Sequence, residues 1–250
     1  KMDGTKVTGA NVSVKIDHDF MRAVKSNSEY KQQYPINSDN PKYTSSVNAK
    51  TLWDKIIHNA WKSAEPGILF WDTIIDESIP DCYADLGFRT VSTNPCGEIP
   101  LCPYDSCRLL AVNLFTEGAT FNYEKFNKHV GMAQRIMDDI VDLEMEKVNR
   151  IIEKIESDPE NLEIKQTELN LSQKIKTKAI QGRRTGVGIT AEGDMLAALG
   201  YKYGTPEATS FSTDIHKNLA LAAYRSSVDM ARDRGAFPIY DAIREEKNPM

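Results

Sequence analysis

The stretch Ser92-Thr93-Asn94-Pro95-Cys96-Gly97-Glu98-Ile99-Pro100-Leu101 decides how the rest of the chain is read. Pro95 has no backbone N–H and biases Asn94 towards an extended shape, while Gly97 permits a sharp turn. A thiol is thereby held at the tip of a loop, with a carboxamide two residues before it and a carboxylate two residues after. Along an extended loop the side chains at i−2, i and i+2 leave on one side. The spacing therefore predicts that Asn94, Cys96 and Glu98 converge on one small substrate. A carboxylate beside a thiol disfavours the thiolate. The set suits a cysteine that works as a neutral S–H, a hydrogen-atom donor, with Glu98 as base and Asn94 as hydrogen-bond partner.

Other chemistries are weaker on the same residues. The four cysteines, Cys82, Cys96, Cys102 and Cys107, are separated by 14, 6 and 5 residues, without the paired C-x₂-C spacing of a zinc site. Four cysteines in 250 residues are too few for a disulfide scaffold, so they read as reduced, catalytic or metal-binding. A structural loop with buried thiols is the plain alternative. His18, His58, His129 and His216 lack ligand spacing and read as surface or helix-face residues. Gly186-x-Gly188 lacks the third glycine of a dinucleotide fingerprint and precedes a strand-like segment; a tight approach to a neighbouring strand accounts for it better. Trp53 and Trp61, at helical spacing, read as core.

Working outward, Val12, Val14 and Ile16 alternate as in a half-buried strand, followed by the capping run Asp17-His18-Asp19 and a short helix from Phe20. Residues 26–49 are polar and read as a loop or small hairpin. Leu52, Trp53, Ile56, Ile57, Ala60 and Trp61 form one broad helical face, stopped by Pro66-Gly67, after which Ile68-Leu69-Phe70-Trp71 reads as a buried strand. Residues 72–107 have little periodicity. From Tyr123 the pattern is helical, breaks at Ser157-Asp158-Pro159-Glu160 and resumes to about Ile180, predicting an antiparallel helical hairpin with a charged, solvated face. Gly182–Thr190 reads as turn and strand, Ala191–Leu199 as a short helix, and Ser210–Arg234 as a long helix ended by Gly235. Lys1 precedes Met2, Val7–Val14 reads as a strand with nothing before it, and Ala236–Met250 trails off. Both ends read as cut from a longer chain. The formal net charge of −5 argues against a nucleic-acid partner. No apolar run reaches the roughly 18–20 residues of a membrane span, and no signal segment opens the chain, so a cytoplasmic α/β protein is expected.

Asn94-Pro95-Cys96-Gly97-Glu98-Ile99-Pro100-Leu101, followed by Asp105-Ser106-Cys107-Arg108-Leu109-Leu110-Ala111-Val112-Asn113-Leu114, resembles the catalytic region of ribonucleotide reductases, and within them the class II, adenosylcobalamin-dependent enzymes. Supporting segments fall in order: Gly9-Ala10-Asn11-Val12-Ser13-Val14, Gln134-Arg135-Ile136-Met137-Asp138-Asp139, Gly182-Arg183-Arg184-Thr185-Gly186-Val187-Gly188 and Arg234-Gly235-Ala236-Phe237.

The resemblance implies a ten-stranded α/β barrel with a catalytic finger loop. Residues 1–250 would be part of that barrel domain, with the finger loop at about 92–101 and a helical-hairpin insertion at about 143–180. It implies that Cys96 forms the thiyl radical that takes the ribose 3′ hydrogen, that Glu98 takes the 3′-hydroxyl proton, and that Asn94 hydrogen-bonds the substrate. Cys107 would be a redox-active, reducing cysteine on a strand beside Val12 and Val14, bonded to neither Cys82 nor Cys102, its partner lying upstream of this chain. The implied cofactor is adenosylcobalamin. The implied partners are a ribonucleoside di- or triphosphate and a thioredoxin-type reductant, with a homodimer as the assembly. Alternatives are the large subunit of a metal-dependent class I enzyme and a non-catalytic fragment of the same fold.

Overall fold

The computed structural model describes residues 9–114 and 120–247, so Val7 and Thr8 of the expected first strand lie outside the described residues. Two compact units form: one from residues up to Pro103 together with those from Ile243, the other from Tyr104 to Ala242.

In the first unit, β1 (Ser13–Ile16) carries the expected alternation, with Ile16 buried. Asp17 caps α1 (His18–Ser26) by accepting the Phe20 N–H at 2.6 Å, which satisfies an amide that a helix start leaves unpaired. The polar segment after it is a hairpin, β2 (Glu29–Tyr34) against β3 (Tyr43–Asn48). Asn48 then caps α2 (Ala49–Ser63) through the Thr51 N–H at 2.8 Å. Phe20 and Ala23 of α1 meet Ile16 and Ala49 in one small core, with Leu52, Trp53 and Ile68 around it. Tyr30 closes its edge, stacking edge-on against Phe20 and donating its hydroxyl to Asp17 at 2.6 Å. Burial and the adjacent Asp17 push the Tyr30 phenol above its ordinary value. The helical face read from the sequence is covered only in its first half: Trp61 is 80% exposed, so its assignment to the core is wrong, because the covering elements reach only the start of α2.

The chain returns through β4 (Gly67–Phe70), parallel to β1 with Val14 beside Ile68 and Lys15 beside Leu69. Parallel pairing requires a long crossover, here supplied by α1, the hairpin and α2. At Gly67 the two strands come close, and a β-carbon there would lie 2.7 Å from Ser13 Oγ, so the serine hydroxyl would have to turn aside. Trp71, read as the strand's last residue, instead starts α3 (Trp71–Asp76). A 3-10 segment, Ile79–Leu86, follows. The aperiodic stretch then ends in a short hairpin, β5 (Ser92–Thr93) against β6 (Pro100–Leu101).

In the second unit, β7 (Leu109–Asn113) pairs in parallel with β8 (Gly186–Thr190). The crossover is the helical hairpin α4 (Tyr123–Ser157) and α5 (Leu162–Gly182). It runs as the helical pattern from Tyr123 predicted, and α4 begins with the covered face of Phe126, Val130, Ala133 and Met137. Phe126 and Val130 belong to a core with Leu114, Met195 and Ile215, whereas the far end of the hairpin has its own core of Met145, Val148, Ile152 and Ala179. After β8 come α6 (Glu192–Ala198) and α7 (Pro206–Arg234), the latter capped by Thr205 with Pro206 at its first turn. The short helix α8 (Ala242–Glu246) follows, its residues from Ile243 belonging to the first unit. The expected tight approach at Gly188 is not found: a β-carbon there would meet nothing nearer than Leu109 Cδ1 at 4.0 Å, and nothing in the structure explains the glycine. Among the described residues no helix is long and apolar enough to cross a membrane.

Candidate active site

The β5–β6 hairpin is the loop that carries Cys96. Its ladder continues past both short strands: the Val91 N–H donates to Leu101 O at 3.0 Å and the Asn94 N–H to Ile99 O at 3.1 Å. The Gly97 N–H then bonds Asn94 O at 3.1 Å, closing a four-residue turn with Pro95 and Cys96 at its corners. Proline is favoured at the first corner because its φ is already set. Gly97 sits at φ +91°, which suits a residue without a β-carbon, and a β-carbon there would also lie 3.2 Å from Leu69 Cδ2.

The expected one-sided, extended display of Asn94, Cys96 and Glu98 therefore needs correcting: a turn breaks the two-residue alternation. Asn94 is buried, and its Oδ1 accepts the Ile99 N–H at 2.9 Å, so the carboxamide helps close the loop. Cys96 and Glu98 are exposed at the apex. Cys96 is an accessible thiol at a turn tip, not one packed in an apolar core.

Two residues that sequence reasoning passed over hold this hairpin. Asn11 donates its Nδ2 to Pro95 O at 2.6 Å, and Lys15 of β1 donates its Nζ to Val91 O at 2.6 Å. The Lys15 ammonium also lies 3.4 Å from the centre of the Trp71 ring, a favourable place for a cation, and burial lowers its pKa. The only sequence hint was the Gly9-Ala10-Asn11 segment itself.

Of the other cysteines of this unit, Cys102 is buried just after β6 and Cys82 is half-buried in the 3-10 segment. Burial, with Glu245 adding to it, pushes the Cys82 thiol up. Among the described residues no group of three His, Cys, Asp or Glu side chains is placed to hold a metal ion.

Cys107 lies in the second unit, exposed, in the segment that leads into β7 and not on the strand as expected. Within the two units, β1, with Val14, pairs with β4, and β7 pairs with β8. Cys107 forms no disulfide with Cys82 or Cys102. Charged ties flank it on both sides. Asp105, with its side chain 3% exposed, accepts an ion pair from Arg184. Arg108, 4% exposed, pairs with Glu144 of α4 and donates to Arg184 O at 3.0 Å.

Three of the segments quoted from the sequence meet around this point. Gln134 Nε2 donates to Thr185 Oγ1 at 2.9 Å. Asp138 receives Arg183 at 2.7 Å and Arg234 at 2.8 Å, while Arg183 also reaches Asp142 at 2.8 Å. Burial raises the Asp138 pKa, but the two arginines outweigh it and hold the carboxyl below its ordinary value. The bonds to Asp142 and Asp138 raise that of Arg183 in turn.

Comparison with known proteins places this geometry. Residues 3–249 match the family described as ribonucleotide reductase, barrel domain. A vitamin B12-dependent ribonucleoside-diphosphate reductase of Thermoplasma acidophilum is 28% identical over 240 residues, covering 95% of this chain and 27% of that protein. One from Mycobacterium tuberculosis is 29% identical over 236 residues, covering 94% of this chain and 30% of that protein. The chain thus spans under a third of the length of these relatives. The class Id ribonucleotide reductase alpha subunit of Actinobacillus ureae superposes with a TM-score of 0.60 at 18% identity, over 92% of this chain and 37% of that one. That likeness concerns the fold, and with the family match it identifies the mixed strands and helices as part of an α/β barrel.

Proposed function

Because the chain belongs to the ribonucleotide reductase barrel-domain family, we propose that it carries the central catalytic loop of an enzyme that reduces ribonucleotides to 2′-deoxyribonucleotides, supplying DNA precursors. The observation that carries the proposal is the Asn94–Gly97 turn, which presents the Cys96 thiol at its exposed apex with Glu98 beside it in sequence. Residues 92–101 are the finger loop of a partial barrel domain, and residues 143–180, the outer part of the α4–α5 hairpin, are its helical insertion.

In this reading Cys96 gives up its S–H hydrogen atom and the resulting thiyl radical takes the ribose 3′ hydrogen. Glu98 accepts the 3′-hydroxyl proton. The 2′-hydroxyl leaves as water, taking its proton from the reducing thiol pair, and becomes easy to lose because the adjacent radical stabilises the developing charge; once that pair has delivered its two electrons and protons, Cys96 returns the 3′ hydrogen atom. Asn94 spends its Oδ1 on the loop, so its amide nitrogen is the part that hydrogen-bonds a substrate hydroxyl. Cys107 is one of the two thiols that deliver the reducing electrons and close to a disulfide, later reopened by a thioredoxin-type protein. The relatives' names favour a ribonucleoside diphosphate as substrate and adenosylcobalamin as cofactor. An exposed thiol fits that cofactor, because the hydrogen atom must be taken by a group arriving from outside the loop. When bound, adenosylcobalamin supplies the radical by homolysis of its cobalt–carbon bond. The large subunit of a metal-dependent enzyme uses the same cysteine chemistry, and absorbance titration of the full-length protein with cobalamin separates the two. A homodimeric, cytoplasmic enzyme completes the proposal.

The test is Cys96→Ser in the full-length protein. An O–H bond is much stronger than S–H, so turnover should vanish while nucleotide binding stays nearly intact. Appreciable deoxynucleotide formation by this variant would refute the hydrogen-donor role.

A further inference from the structure

Pro95 O and the Cys96 amide belong to one peptide unit, which is planar and stiff. Whatever grips that oxygen therefore also sets where the Cys96 α-carbon stands. The grip is the Asn11 side chain, 84 residues away in sequence, at 2.6 Å. Four residues further along the chain, on β1, Lys15 takes Val91 O at 2.6 Å, and Val91 lies four residues before Pro95. The two bonds thus take equal steps along the two segments in opposite directions. The strand beneath them is itself fixed by its ladder with β4, and β4 contributes Leu69 under Gly97.

We infer that Asn11 and Lys15 are positioning residues that make β1 a strut for the catalytic turn, Asn11 setting its apex through Pro95 and Lys15 its root through Val91. The inference deepens the proposed function and rests on it for the role of Cys96. The Pro95 carbonyl, at a turn corner, takes no part in the hairpin's ladder bonds. Without the Asn11 donor the peptide that carries Cys96 is free to rotate. A radical transfer needs the reacting atoms close and aligned, and a misplacement of about 1 Å can cost on the order of 10²-fold in rate.

The experiment uses the full-length protein with Asn11→Asp, which has the same size but no N–H donor, together with Asn11→Ala and Lys15→Met. Expected for the Asn11 variants is a kcat about 10–100-fold below the parent with substrate KM within about twofold, the pattern of lost orientation and not of lost binding. A second readout needs neither cofactor nor turnover: alkylation by iodoacetamide, followed peptide by peptide in the cofactor-free protein, with Cys107 as internal reference. The Cys96 rate relative to Cys107 should change at least about threefold in all three variants, since thiol reactivity follows local environment and access. Lys15→Met keeps the apex bond and tests the root by itself should the Asn11 variants fold poorly. Asn11 variants with parental kcat and parental Cys96 alkylation would overturn the strut. Activity retained by Cys96→Ser would instead retire the catalytic reading, while the alkylation result would still decide whether β1 places the turn.

Discussion

Removing Glu144 should loosen the segment that carries Cys107, and the cost can be worked from the pair it makes. Arg108, next to Cys107, is 4% exposed and meets Glu144, 26% exposed, across 36 residues of sequence. Glu144→Ala leaves the guanidinium buried with Arg184 O as its remaining hydrogen-bond partner. Breaking one side of a buried pair costs about 3–5 kcal/mol, and the residual access of water to Glu144 puts the value near 3. Replacing both partners, Arg108→Met with Glu144→Ala, removes the stranded charge and should recover much of the loss, because a buried ion pair is worth little more than well-packed apolar groups. The assay is urea unfolding of the full-length protein, followed by hydrogen exchange at Leu109–Asn113 so that the local transition is read. At an m value of about 2 kcal/mol/M, a loss of about 3 kcal/mol moves the midpoint down by about 1.5 M. A shift below about 0.5 M for Glu144→Ala, or a double variant as unstable as the two singles added together, would refute the reasoning.

Asp138 is held below the ordinary carboxylate pKa, so its ion pairs contribute stability that is complete above the unfolded value of about 3.9 and is lost as pH falls through the lower folded value. Asp138→Asn should therefore flatten the acid limb of the urea-midpoint profile below about pH 4 while lowering stability at pH 7; an unchanged acid slope would count against it. Gly97→Ala places a β-carbon on a residue at φ +91° and should cost about 1–2 kcal/mol of stability. Turnover should fall with it, and Leu69→Ala should not rescue it, because the strain lies in the backbone; a parental melting temperature would contradict this. Arg184→Met removes the ion pair to Asp105 and should slow turnover that depends on external reductant more than the first turnover of pre-reduced protein, provided Cys107 is the reducing thiol. Equal slowing of both would count against that role.

The parts of the fold legible in the sequence are those set by neighbours along the chain. Asp17 caps α1 because a short polar side chain can reach an amide three residues on. Phe126, Val130, Ala133 and Met137 mark the covered face of α4 because helical spacing brings them to one side. Trp61 shows the limit of that reasoning: periodicity names a face, but how far a neighbour covers it depends on elements the periodicity does not contain.

For the loop that carries Cys96, the sequence by itself determined that this residue stands at a sharp turn, because the dihedral preferences of Pro95 and Gly97 are local. It also located the family through that same run of residues. Tertiary structure alone decided what the turn rests on. Asn94 bends its carboxamide back to Ile99, so the alternation assumed for an extended loop does not hold. Asn11 meets Pro95 across 84 residues, and Arg234 meets Asp138 across 96. Such contacts join single polar side chains that carry no periodicity and no spacing, and an asparagine that grips a carbonyl reads in sequence like any surface asparagine. Only the parallel pairing of β1 with β4, made possible by a crossover of some fifty residues, brings Asn11 and Lys15 beside the loop they hold.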